Sequence, residues 1–144
     1  MNEAKTSKLA AICSSHQVSL AYLFGSRARD GSELLAGKTL VNDDPLADLD
    51  LGVVFGRPPL EPGQRLKKYA ALYNELEDLV RPFRLDLVFL EETHSVFQSE
   101  AIRGICVYQV SEAVRDDYEL NILRRAADFK PFLERYYQEL LEEA

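Results

Sequence analysis

Cysteine is scarce in this sequence: Cys13 and Cys106 are the only two among 144 residues. Neither a C-x-x-C nor an H-x-x-x-H spacing occurs, so a zinc site is not expected. Two reduced, buried thiols in a cytosolic protein are the reading these cysteines support. Basic residues are also short in supply, 17 Lys and Arg against 24 Asp and Glu, for a formal net charge of -7. Phosphate backbones are bound by clustered Lys and Arg, so no direct nucleic-acid contact is expected of an acidic chain. Long apolar runs are missing too. No stretch approaches the roughly 18 uninterrupted apolar residues of a membrane span, and the opening "MNEAKTSKLA" lacks the apolar core of a signal peptide. No internal repeat, low-complexity tract or flexible linker is present. The expectation is a cytoplasmic protein with no membrane contact.

Hydrophobic residues make up 47% of the chain, enough for a real core. The length fits one domain, residues 1–144, with a helical C-terminal segment from about residue 111. Periodicity predicts a helix over 4–15, with Leu9, Ile12 and Cys13 on one stripe, then a strand over 18–24. Ser26, a good N-cap residue, predicts a short helix running toward Leu35. Residues 36–47 read as a loop and 48–55 as a strand. The Pro- and Gly-rich stretch 56–63 connects it to a helix over 64–80, with Leu66, Tyr69, Ala70, Tyr73, Leu76 and Leu79 or Val80 on one face. A strand over 84–90, a helix over 95–103 and a short strand over 105–110 follow. The rest is helical, with a break expected near Pro131. The fold class is α/β (α+β), a small mixed sheet flanked by helices.

Two stretches carry chemistry. In "ADLDLGVVF", strand side chains alternate with a period of two, so Asp48 and Asp50 share one face while Leu49 and Leu51 take the other. Two carboxylates held that close repel, and keeping both ionised needs a cation. Magnesium suits them, because it binds a few carboxylates and completes its shell with water and phosphate oxygens. Asp86 is a third carboxylate, set in the apolar strand "RLDLVF". If that strand neighbours the first, three carboxylates converge and two ions can be held. In "YLFGSRARDGS", Gly25 lets backbone approach a ligand closely, and Ser26 offers a hydroxyl at a helix start whose free N–H groups attract phosphate. Arg27 or Arg29 can neutralise the remaining charge. The bland alternatives are an ordinary turn, a solvated strand edge, and an Asp86 paired with Arg84 or Arg103.

The order strand, Gly-Ser, helix, Asp-x-Asp strand, later strand Asp resembles the nucleotidyltransferase superfamily that includes DNA polymerase beta. "GSRAR", "ADLDLGVVF" and "RLDLVFL" are similar to its small prokaryotic branch, the minimal nucleotidyltransferases, antitoxins paired with HEPN-domain toxins. The tail, "ICVYQV" followed by "DDYELNILRRAADFKPFLERYYQELL", extends the resemblance over nearly the whole chain. By that resemblance Gly25 and Ser26 match the phosphate-binding pair and Arg29 the arginine beyond it. Asp48 and Asp50 match the metal ligands, and Asp86 the third carboxylate, which also serves as general base. The chain departs in two places. The 21 residues between Ser26 and Asp48 are more than the family usually has, and Asp30 stands where a glycine commonly follows the arginine.

The resemblance implies a magnesium-dependent transfer of AMP from ATP to a hydroxyl, a tyrosine of the partner HEPN toxin, with two magnesium ions held by the three aspartates. An acidic surface suits a partner that handles RNA and is basic. Rival readings are a non-catalytic antitoxin that blocks the toxin sterically, nucleotidyl transfer to a small molecule, and a structural α/β domain. A homo-oligomer or a hetero-oligomer with the toxin is compatible with the tail beyond Pro131 packing on a partner.

Overall fold

The structure is a computed structural model that describes residues 2–57 and 60–143, with side chains from residue 5 onward; Pro58 and Pro59 of the expected 56–63 connection lie outside the described residues. Helix α1 (Asn2–Ser15) leads into β1 (Leu20–Phe24), followed by α2 (Ala28–Leu35) and β2 (Asp48–Val54). Helix α3 (Pro62–Leu79), β3 (Arg84–Phe89), a single 3-10 turn (Leu90–Glu92), α4 (Ser95–Ile102), β4 (Ile105–Gln109) and α5 (Glu112–Glu143) complete the order. The sheet runs β3-β2-β1-β4. Strand β1 is antiparallel to both neighbours, and β2 and β3 are parallel. The result is the expected mixed sheet flanked by helices.

Alternation decides which way each strand faces. Leu49, Leu51 and Val53 of β2, with Leu85, Leu87 and Phe89 of β3, are buried against Leu9 and Cys13 of α1, Leu34 of α2, and Leu72 and Leu76 of α3. Each such leucine contributes roughly 1.5–3 kcal/mol by leaving water. The opposite face is covered only in part. Leu20 and Tyr22 of β1 and Val54 of β2 pack with Leu90, Ala101, Phe97 and Tyr118. Gly52 makes room for this layer: a Cβ there would lie 2.8 Å from Leu90 Cγ. The layer stops short of the first residues of β2 and β3, so Asp48 and Asp50 are half-buried and Asp86 is exposed.

Three expectations are corrected. Ser26 is not an N-cap: residues 25–27 form a turn, and Arg27 occupies the cap of α2 without a side-chain cap bond. The buried stripe of α3 runs through Leu72, Leu76 and Leu79, with Tyr69 and Tyr73 packed beside it, whereas Leu66 and Ala70 face solvent, because the helix is rotated so that the side bearing Tyr69, Leu72, Leu76 and Leu79 meets the sheet. Pro131 does not interrupt α5, which continues through it for 32 residues. Proline removes a donor to the carbonyl four residues earlier, but that residue, Ala127, lies on an exposed stretch where water can substitute. Beyond it α5 packs little: Phe132, Tyr136, Tyr137, Leu140 and Leu141 are all exposed.

Candidate active site

The parallel register of β2 and β3 sets Asp50 beside Asp86 and Asp48 beside Arg84. The antiparallel register of β1 and β2 sets Phe24 beside Asp50, which brings Gly25 over the same carboxylate. Gly25 has φ +75°, and a Cβ on it would overlap Asp50 Oδ2. Only glycine takes that backbone conformation readily and leaves the space free. The first motif is thus folded onto the second by strand pairing.

Burial pushes the Asp50 carboxyl up to about 6, helped by a hydrogen bond and charge from Asp86 and by the charge of Asp48. A carboxylate so placed gains by meeting a cation. Asp48 already has one: Arg84 Nε donates to its Oδ1 at 2.6 Å. Among the described residues no three His, Cys, Asp or Glu side chains stand close enough to hold a metal ion together. Asp50 and Asp86 still form an oxygen-donor pair of the hardness magnesium prefers. Asp86 pairs with neither Arg84 nor Arg103, whose partners are Asp48 and Glu100.

In the turn, the backbone amides of Ser26 and Arg27 donate to no backbone carbonyl among the described residues, while Ala28 and Gly31 bond back to Gly25 and Arg27. The Arg27 guanidinium binds Asp30 at 2.9 Å and Asp43 at 3.1 Å and lies over the Phe83 ring. It ties the long 36–47 loop to the turn, so its charge is already in use. Arg29 is almost fully exposed and weakly paired with Glu33. The bland alternative read from the sequence for Asp86 is a pair with Arg84 or Arg103. Two residues apart on one strand, Arg84 and Asp86 share a face, but the cross-strand register decides which carboxylate the arginine meets. Cys13 is buried, which pushes its thiol up to about 12, as an inert core cysteine requires.

The family model for "Polymerase beta, Nucleotidyltransferase" matches residues 7–113. The chain belongs to the polymerase beta nucleotidyltransferase family. That match spans β1 to β4 and contains the Gly-Ser turn and all three aspartates. No curated protein sequence matches this one. Among solved structures, the chain is similar to an MNT antitoxin in complex with a tri-AMPylated HEPN toxin from Shewanella oneidensis, with TM-score 0.58, 15% identity, and 99% of this chain and 98% of that one covered. It is also similar to a toxin-antitoxin chain solved with AMP-PNP, with TM-score 0.60, 16% identity, and 96% of each chain covered. At these identities the likeness establishes a shared fold.

Proposed function

We propose that this nucleotidyltransferase is an antitoxin that transfers AMP from ATP to a hydroxyl, a tyrosine, of a HEPN-type RNase toxin and so neutralises it. The observation that carries the reading is the convergence of Gly25, Asp50 and Asp86 at one end of the β1-β2-β3 ladder. The AMPylated toxin beside one structural neighbour and the ATP analogue beside another support the choice of nucleotide and acceptor. The free amides of Ser26 and Arg27 hold the triphosphate, and Arg29, exposed at the helix start and only weakly paired with Glu33, neutralises it from outside. Magnesium would be held by Asp50 and Asp86, and by Asp48 once released from Arg84, and when bound would neutralise charge on the triphosphate and the leaving pyrophosphate. Asp86 accepts the proton of the acceptor hydroxyl as its oxygen bonds to the α-phosphorus and the bond to pyrophosphate breaks. With no helix long and apolar enough to cross a membrane among the described residues, a cytoplasmic setting is the proposed one. The exposed aromatic and leucine side chains of the last turns of α5 offer the toxin an apolar docking surface within an acidic chain.

One observation favours a second reading. The Arg84–Asp48 pair blocks one expected metal ligand, as a site that has lost catalysis and acts by steric cover would tolerate. A single experiment separates the two. Purified toxin is mixed with ATP, magnesium and either the parent or Asp86→Asn, and toxin mass and RNase activity are followed. The expected result is added AMP with the parent and transfer slower by about 100-fold or more with Asp86→Asn. Equal neutralisation by both, with no mass added, would establish the steric reading.

A further inference from the structure

A cavity of about 430 Å³ lies at the far end of the sheet from the aspartates. Its walls come from the ends of β2 and β3, where Phe55 and Phe89 meet edge to face at 4.9 Å, and from Arg65 and Lys68 of α3. Phe55 and Phe89 belong to the face packed by α1, α2 and α3, opposite the face that carries Asp50 and Asp86. The cavity is therefore separated from the candidate active site both along the strands and through the sheet. Its size is within the range of small-molecule pockets.

Charge in this cavity is unbalanced in the opposite sense to the whole chain. Five charged residues line it: Arg57, Arg65, Lys68, Glu91 and Glu92. Both acids are engaged away from Arg57 and Lys68, although only Glu92 is neutralised by a cation. Glu92 holds Arg65 through two bonds of 2.7 and 2.6 Å. Glu91 accepts the backbone N–H groups of Phe55 at 2.6 Å and Gly56 at 3.1 Å. Arg57 and Lys68 have no carboxylate within 4 Å among the described residues. Arg57 reaches only the side-chain oxygen of Gln17, at 3.0 Å, and Lys68 Nζ rests over the Phe55 ring at 5.6 Å. In a chain of formal charge -7, a lining with one net positive charge and two cations that touch no carboxylate, beside an aromatic wall, describes a receptor for a monoanion with an apolar body.

We infer that this cavity binds a small aromatic organic anion, its ring against Phe55 and Phe89 and its acidic group between Arg57 and Lys68, at a site independent of nucleotide binding. A second triphosphate fits less well, because the five charged side chains leave a net charge of only about +1 on a mainly apolar wall, too little for a triphosphate.

The probe is 8-anilinonaphthalene-1-sulfonate, an aromatic monoanion, titrated into the full chain by fluorescence and calorimetry. N-phenyl-1-naphthylamine, the same ring system without the sulfonate, is run beside it. The expected result is one saturable site for the sulfonate, weakened by about tenfold or more in Arg57→Gln/Lys68→Gln, the scale of losing one charge-assisted contact. The neutral amine should bind weakly and equally to parent and variant. Asp50→Asn should leave sulfonate binding unchanged. Both lysine and arginine sites are solvent-accessible, so the double variant should fold, which circular dichroism checks. Should it fail to fold, Lys68→Gln alone is expected to give a loss of several-fold. No saturable sulfonate binding would overturn the inference. So would binding that persists undiminished in the folded charge variant, which would place the probe elsewhere, such as on the apolar end of α5.

Discussion

Replacing Asp50 by asparagine should make this protein more stable while destroying its proposed activity. The carboxyl is raised from 3.8 to about 6, first by burial and then by Asp86 and Asp48. A raised carboxyl binds its proton more tightly in the folded chain than in the unfolded one. Between roughly pH 4 and 6 the folded state therefore holds more protons, and stability falls as pH rises through that window. Below it both states are protonated and the difference disappears; above it the folded protein bears the full cost of the charge. A shift of about two pH units corresponds to at most roughly 3 kcal/mol. Asp50 is only half-buried, so solvent screening reduces this to about 1–2 kcal/mol. Asparagine keeps the shape, removes the charge and can donate to Asp86. Urea unfolding at about pH 3, 6 and 8 should show Asp50→Asn equal to the parent at the lowest pH and about 1–2 kcal/mol more stable at the highest. Calorimetry on the same samples should show magnesium-dependent ATP binding in the parent alone. A variant no more stable than the parent at pH 8, with the same pH profile, would refute the claim that Asp50 is held against its charge.

Gly25→Val should abolish ATP binding and cost about 1–3 kcal/mol of stability, because its side chain would occupy the space of Asp50 Oδ2 at a left-handed backbone position; a folded variant binding ATP normally would mean that the turn is only a turn. Arg84→Gln should release Asp48 and tighten magnesium binding several-fold in calorimetry, while urea stability moves by less than about 1 kcal/mol, since the pair is largely exposed; unchanged magnesium affinity would show that Arg84 does not compete with the ion. Pro131→Ala should raise the helical circular dichroism signal and stability, by up to about 3 kcal/mol, by restoring a donor to the Ala127 carbonyl; a loss of helicity would show that the proline is needed where it stands.

The sequence by itself determined what depends on neighbours along the chain. Period-two alternation placed Asp48 and Asp50 on one face and Leu49 and Leu51 on the other. The apolar run before Gly25 marked a strand ending in a turn, and the long charged tail could only be helix. Such signals are local, because side-chain direction in a strand follows from the backbone pleat. What the pleat does not encode is register between strands far apart in the chain. Only the parallel pairing of β2 and β3 set Asp50 against Asp86 and gave Arg84 to Asp48. Only the antiparallel pairing of β1 and β2 laid Gly25 over Asp50. Local preference misled at Ser26, where the turn geometry moved the cap to Arg27, and at Pro131, where exposure made the lost hydrogen bond tolerable. The basic, aromatic-walled cavity had no local signature at all. Its lining spans Gln17 to Glu92, and only the tertiary structure gathers three cations and two acids there, with Glu92 held by Arg65 and Glu91 by backbone amides so that Arg57 and Lys68 touch no carboxylate.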